Sequence, residues 1–193
     1  MSVNTEHSEY KRLLGDWQMI KDCCEGQTAV KSKKTLYLPP MADSGSNDDR
    51  YMNYLRRANY VNFTGRTKEG LTGAIFREAP NVSVPSELEY LIDNADGAGE
   101  SLNSLAKDVT GEVVGRGRHV LLVDYPPLPD NLTQEQVELL SPKATINRYD
   151  CESFINWRVE TINGQKVLAL AVLKEFYDMA DDEFEYDAGE QYR

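Results

Sequence analysis

The sequence predicts an α+β fold, with N-terminal helices followed by a small antiparallel sheet. Three observations carry that reading. Apolar residues recur at helical spacing from Tyr10 to Cys24 and again from Tyr51 to Val61. A continuous β-branched and leucine run, HVLLV, occupies 119–123. Asn163-Gly164 stands between two segments of strand character, the strongest short hairpin signal in the chain. With 193 residues, 40% hydrophobic and 27% charged, the chain has enough apolar mass to bury a core, which excludes disorder throughout.

Taken in order, Tyr10, Leu13, Leu14, Trp17, Ile20, Cys23 and Cys24 share one helical face, so 6–25 is expected to be an amphipathic helix ended by Gly26. The stretch 31–40, KSKKTLYLPP, has a basic start and two prolines and is expected to be a loop or short extended piece. A Ser/Gly/Asn/Asp cluster at 43–49 reads as a loop with capping residues for the next helix. Helical spacing resumes at Tyr51, Tyr54, Leu55 and Ala58 and extends to about Arg77, with a break expected at 64–70, where Gly65 and Gly70 each cost about 1 kcal/mol against alanine. Pro85 opens a short helix to about Asn94, 93–99 is a turn, and 101–114 is a helix with Leu102, Leu105, Val109 and Val113 on one face.

The run at 119–123 is expected to be a buried strand. Thr133 with Gln136 three residues on forms a capping box for a short helix to Leu140. Segments 156–162 and 165–176 then flank the Asn-Gly turn. The elements group as a helical segment over 1–80, an α+β part of the same domain over 81–176, and an acidic segment over 177–193.

Charge is unevenly spread. The chain carries 21 basic and 32 acidic side chains for a net charge of −11. Eight acids and one base fall between Glu175 and Arg193, a block expected to be a solvated tail that repels phosphates. No stretch reaches the roughly 18 apolar residues of a membrane helix, and the first residues lack a basic then apolar leader pattern. A membrane-spanning or conventionally secreted protein is therefore not expected.

The search for catalytic chemistry finds little. His7 and His119 are the two histidines, the first in a terminus expected to fray and the second at a strand edge, and neither has a spacing that suggests a triad. Cys23, Cys24 and Cys151 form no C-x-x-C pair and are expected to be reduced, buried thiols. The loop at 92–97 resembles half a calcium loop, yet Ile92 and Asn103 occupy the positions that need acids. The GRGR stretch at 115–118 precedes a strand, whereas phosphate-cradling glycine loops follow one; it reads as a helix-ending glycine pair, with Arg116 and Arg118 expected to meet either a phosphate or a neighbouring subunit's acid. Basic residues at Lys31, Lys33, Lys34, Arg56, Arg57, Arg66, Lys68 and Arg77 are interleaved with aromatics but interrupted by Glu69 and Glu78, and read as a solvated or subunit-contacting face. Three N-x-[ST] triplets begin at Asn62, Asn81 and Asn131 and carry no meaning without secretion. Eleven tyrosines hint at subunit contacts. No catalytic, metal, cofactor or nucleic-acid-binding residue is assigned.

Several segments in a fixed order resemble a known family: WQMIKD at 17–22 followed by Gly26, YLP at 37–39, YLRRANY at 54–60, Arg66-Thr67 with GLTGAIFR at 70–77, DNADGAGESL at 93–102, GRGRHVLLVD at 115–124, CESFINWR at 151–158 and the Asn163-Gly164 pair. Together they resemble the N-terminal part of tailed-bacteriophage portal-like proteins, long catalogued as a domain of unknown function. The resemblance implies a structural virion protein, assembled in the host cytoplasm as a ring, typically of twelve subunits, at one capsid vertex. DNA is packaged and ejected through such a ring without sequence-specific binding. A terminase motor, the capsid and neck proteins are its implied partners. It implies no enzyme activity and no cofactor. Family members run to more than twice this length, so the chain is expected to be a fragment from the outer wing-like region. The other readings are a capsid-associated adaptor or scaffold module and, last, an enzyme that uses a carboxylate pair.

Overall fold

A computed structural model of the chain describes residues 2–40, 49–126, 128–129, 133, 135, 141–180 and 186–193. The fold is α+β, and among the described residues six helices are followed by antiparallel strands. The chain divides into two compact units, Leu13–Arg77 and a second made of Met1–Arg12 with Glu78–Arg193.

In the unit Leu13–Arg77, helix α1 (Ser8–Glu25) buries Trp17 and Asp22. It ends at Gly26, whose φ of 95° lets α2 (Gln27–Ser32) start at once. The expected loop or extended piece at 31–40 is corrected here: Lys31 and Ser32 complete α2 and Lys34–Leu36 is a 3-10 turn, because the two prolines lie beyond both and remove no donor from either. Tyrosines tie the connections down. Tyr37 Oη donates to Asp22 at 2.6 Å, Tyr51 Oη to the Leu38 carbonyl at 3.1 Å, and Tyr60 Oη to the Cys23 carbonyl at 3.0 Å. Burial, then the bond to Asp22, pushes the Tyr37 phenol up to about 12.

The break between the next helices also falls elsewhere than expected. Helices α3 (Asp49–Arg57) and α4 (Phe63–Ile75) part at 58–62, and 64–70 is continuous helix. Asn62 is the reason. Its Oδ1 accepts from the Gly65 amide at 2.7 Å, a cap worth about 1 kcal/mol, while its Nδ2 donates to the Cys24 carbonyl at 2.8 Å. A Cβ on residue 65 would lie 2.7 Å from Asn62 Nδ2, so the glycine that reads as a breaker is what admits the cap. The expected loop at 43–48 lies outside the described residues; Asp49 already belongs to α3.

The second unit starts its helices with a 3-10 turn at Ser86–Leu88 and α5 (Tyr90–Asp93). Helix α6 (Leu102–Arg116) is capped by Ser101 Oγ, which accepts from Ser104 N, and ends on left-handed Gly117. Strand β1 (Val120–Asp124) pairs antiparallel with β2 (Thr145–Tyr149). The expectation of a buried strand at 119–123 is corrected: β1 alternates half-buried and exposed residues, and Val123 is 70% exposed. Among the described residues β1 has one partner strand, so a run apolar on both faces is covered on only one. The helix expected over 133–140 lies outside the described residues except Thr133 and Glu135.

Strands β3 (Phe154–Ile162), β4 (Gln165–Ala180) and β5 (Tyr186–Tyr192) form a sheet in that order. Ile162 pairs with Gln165 across Asn163 (φ 52°) and Gly164 (φ 79°). Lys174 to Ala180 of β4 pairs with Tyr192 to Tyr186 of β5. The expected unpaired acidic tail is thus corrected over its described residues, which continue β4 and form β5, while 181–185 lie outside the described residues. Lys174 Nζ lies 2.6 Å from Glu190, and Arg193 lies 2.8 Å from Asp124. The expectation of three buried thiols holds for Cys151 alone, since Cys23 and Cys24 are half-buried, and no disulfide joins the three.

Candidate functional site

A cluster of charged and aromatic side chains sits where α6 meets the turn before β3. Arg116 occupies the last turn of α6, and Gly117 (φ 81°) reverses the chain so that Arg118 follows on a different course. The Arg116 side chain is 7% exposed and pairs with Glu112, with Asp150 at 3.1 Å and with Glu152 at 3.4 Å. Burial works against its charge, but these carboxylates win and hold its pKa up. Arg118 Nη2 donates to the carbonyls of Cys151 and Phe154 at 3.1 and 2.9 Å, and its guanidinium lies 4.5 Å from the centroid of Trp157.

Three sequence candidates lie in or beside this cluster. His7, expected in a frayed terminus, stacks on Trp157 with centroids 4.0 Å apart, and its amide donates to the Ile155 carbonyl. Cys151 is fully buried and burial pushes its thiol up, which keeps it protonated and a poor nucleophile. His119 is pushed down by burial, and neither ring nitrogen has a hydrogen-bond partner among the described residues. The cluster joins helix, turn and strand; both arginines are engaged within the chain. Sequence spacing missed it because Arg116 and its partners Asp150 and Glu152 are far apart along the chain.

The loop resembling half a calcium site turns its acceptors inward. Asp96 Oδ1 accepts from the amides of Ala98 and Glu100 at 2.8 and 3.0 Å, which lowers its carboxyl pKa, and Asn94 Oδ1 accepts from Gly99 N at 2.8 Å. Buried Ala95 then accepts from the Ile146 amide, so the loop anchors β2. Among the described residues no group of three His, Cys, Asp or Glu side chains is placed to hold a metal. In the basic cluster of the other unit, Lys31 Nζ donates to the Arg56 carbonyl at 3.2 Å and Lys33 lies 3.9 Å from Asp22. Asn62, the first glycosylation triplet, is engaged as the α4 cap.

The remaining candidate is a surface. Beyond Trp157 the β3–β4 hairpin runs out as an arm in which every residue from 158 to 171 is exposed, whichever face it occupies. Val159 and Ile162 are each 52% exposed and Leu168 is 55% exposed. Among the described residues β4 has no strand on its second edge over 165–172, and β3 has β4 as its single strand partner. The sequence signal was present: from Val167 to Leu173 every residue is apolar, more than one covered face requires. Neither a protein-family model nor a curated protein matches the chain.

Proposed function

We propose that this chain is a structural virion subunit of the tailed-bacteriophage portal type, part of a ring at the capsid vertex through which DNA is packaged and ejected. Copies of itself are its first partners, with the capsid, the terminase motor and the neck proteins as the others. The ordered resemblance along the sequence suggests this class. The arm is the observation that carries it. Residues 158–171 present apolar side chains on both faces and unpaired ladder groups on two edges. An isolated two-stranded ribbon is marginal in water, and exposed apolar edges invite association, so a chain that keeps such an arm is suited to assembly. The acidic excess supports the same reading, since a ring that passes DNA works best where it does not grip phosphates.

Sedimentation velocity and negative-stain microscopy of the purified chain, from about 1 to 100 μM, test this. Concentration-dependent growth into rings is the expected result. A monomer across the whole range overturns the proposal, and a closed two-subunit particle overturns it in favour of an adaptor module.

A further inference from the structure

Asn163-Gly164 is the one asparagine-glycine pair in the sequence, and both residues are exposed at the tip of the β3–β4 hairpin. We infer that Asn163 is a site of self-modification: the Gly164 amide closes on the Asn163 side chain to form a succinimide, which water opens to aspartate or isoaspartate, and the arm thereby has a limited lifetime. The chemistry is independent of the ring reading; only its effect on assembly rests on that reading.

Ring closure needs a nitrogen that can be approached and a side chain free to swing over it. Glycine has no Cβ to stand in the way, and apart from its chain neighbours no atom lies within 4 Å of where a Cβ on Gly164 would be. Among the described residues neither the Gly164 amide nor the Asn163 side chain has a hydrogen-bond partner. Closure also asks for a rotation about the Asn163–Gly164 backbone that a closed turn resists, and the unpacked tip can open locally while the buried root stays formed. Asp96-Gly97, the chain's aspartate-glycine pair, is arranged in the opposite way. Asp96 Oδ1 is held by the Ala98 and Glu100 amides at 2.8 and 3.0 Å, which favour the ionised carboxylate, a poor electrophile. Asn62, bonded at both Oδ1 and Nδ2, and Asn94, bonded at Oδ1, are likewise held.

In the first step the Gly164 nitrogen bonds to Asn163 Cγ, the Cγ–Nδ2 bond breaks, and Nδ2 leaves as ammonia with the proton given up by the Gly164 amide. In the second, water cleaves one of the two ring C–N bonds. Cleavage at Cγ gives aspartate. Cleavage at the main-chain carbonyl gives isoaspartate, whose backbone runs through the side chain and is longer by a methylene. Nothing is oxidised or reduced, and water is the co-reactant. Asp-Gly suits a two-residue turn with positive φ at both positions, so the aspartate product keeps the hairpin. Isoaspartate does not, because an added backbone atom breaks the loop that sets the register from the Ile162–Gln165 pair inward.

Ageing the full chain for weeks in warm neutral buffer tests the site, with peptide mapping by mass spectrometry and methyl labelling by an isoaspartyl methyltransferase as the readouts. Conversion at Asn163 is expected to run at least about tenfold ahead of every other asparagine and of Asp96. Asn163→Gly keeps a permitted turn and removes the side-chain amide, so its hairpin peptide should gather no isoaspartate. Conversion at another asparagine or at Asp96 as fast as at Asn163 overturns the proposal, and so does an Asn163 that outlasts them. Amide exchange reads the consequence. Over 159–168 the isoaspartate form should exchange about tenfold faster than the fresh chain, while freshly prepared Asn163→Asp behaves as the parent. Parent-like exchange in the isoaspartate form overturns the effect on the arm. Where the chain sediments as an assembly, isoaspartate is expected to collect in the unassembled fraction, and an even spread between fractions counts against the arm's lifetime as a limit on assembly. A chain that stays monomeric throughout overturns the ring reading and leaves the modification readouts standing.

Discussion

The root and the tip of the β3–β4 hairpin share one ladder and much the same composition, yet they are held by different forces. At the root Ile155, Val172 and Leu173 are buried beside fully buried Cys151. The root backbone is also engaged sideways, by Arg118 at the Cys151 and Phe154 carbonyls, by the His7 amide at Ile155 and by Tyr10 Oη at Glu152. At the tip Val159, Ile162, Val167 and Leu168 face solvent. Burial stabilises the root at about 25 cal/mol per Å² of apolar surface, and the tip gains almost none of that within one chain. What holds the tip is cross-strand pairing and a turn of the right hand. A strand pattern in sequence thus specifies pairing, while packing depends on what covers the strand.

Removing the root's central cation should have the largest effect. Arg116→Met leaves Glu112, Asp150 and Glu152 near one another without their common partner, and breaking a buried pair on one side costs about 3 to 5 kcal/mol. Asp150 is 45% exposed on its side chain, so the lower end of that range is expected in urea unfolding. A loss below about 1 kcal/mol would mean that solvent already screens the cluster. The next effect divides root from tip directly. Ile155→Ala is expected to cost about 3 kcal/mol, whereas Val159→Ala, two residue pairs beyond Trp157, should stay within about 0.5 kcal/mol in dilute solution. Equal losses would erase the distinction.

The same distinction explains how far the sequence could be read. Helix α1, the capped α6 and the strands around Asn163-Gly164 were legible because their signals are local: a 3.6-residue period, Ser101 before an apolar run, and an Asn-Gly pair. The break between α3 and α4 was misplaced because the Asn62 cap depends on a close approach to residue 65, and composition alone makes Gly65 a breaker. β5 was hidden within an acidic block, since Lys174, the cation that meets its Glu190, sits just outside that block on β4, and Arg193 at the block's end reaches Asp124 only through the fold. The Arg116 cluster was invisible for a related reason. Glu112 lies one helical turn away, but Asp150 and Glu152 reach Arg116 only through the fold.

The smallest global effect is expected at the turn itself. Asn163 and Gly164 both have positive φ, 52° and 79°, which suits a two-residue hairpin turn of the hand that strand twist requires. A β-branched residue at 164 pays a left-handed penalty of about 1 to 2 kcal/mol there. Because the tip is not packed, Gly164→Val can open the arm without unfolding the root, so the expected global loss is about 0.5 kcal/mol and the melting temperature falls only slightly. Amide exchange separates the two regions. Residues 159–168 should exchange at least tenfold faster in the variant, while Ile155 and Leu173 keep their protection. Loss of protection at Ile155 and Leu173 to the same degree would show that root and tip open as one cooperative unit, and that the turn, more than the buried root, sets the register of the whole hairpin.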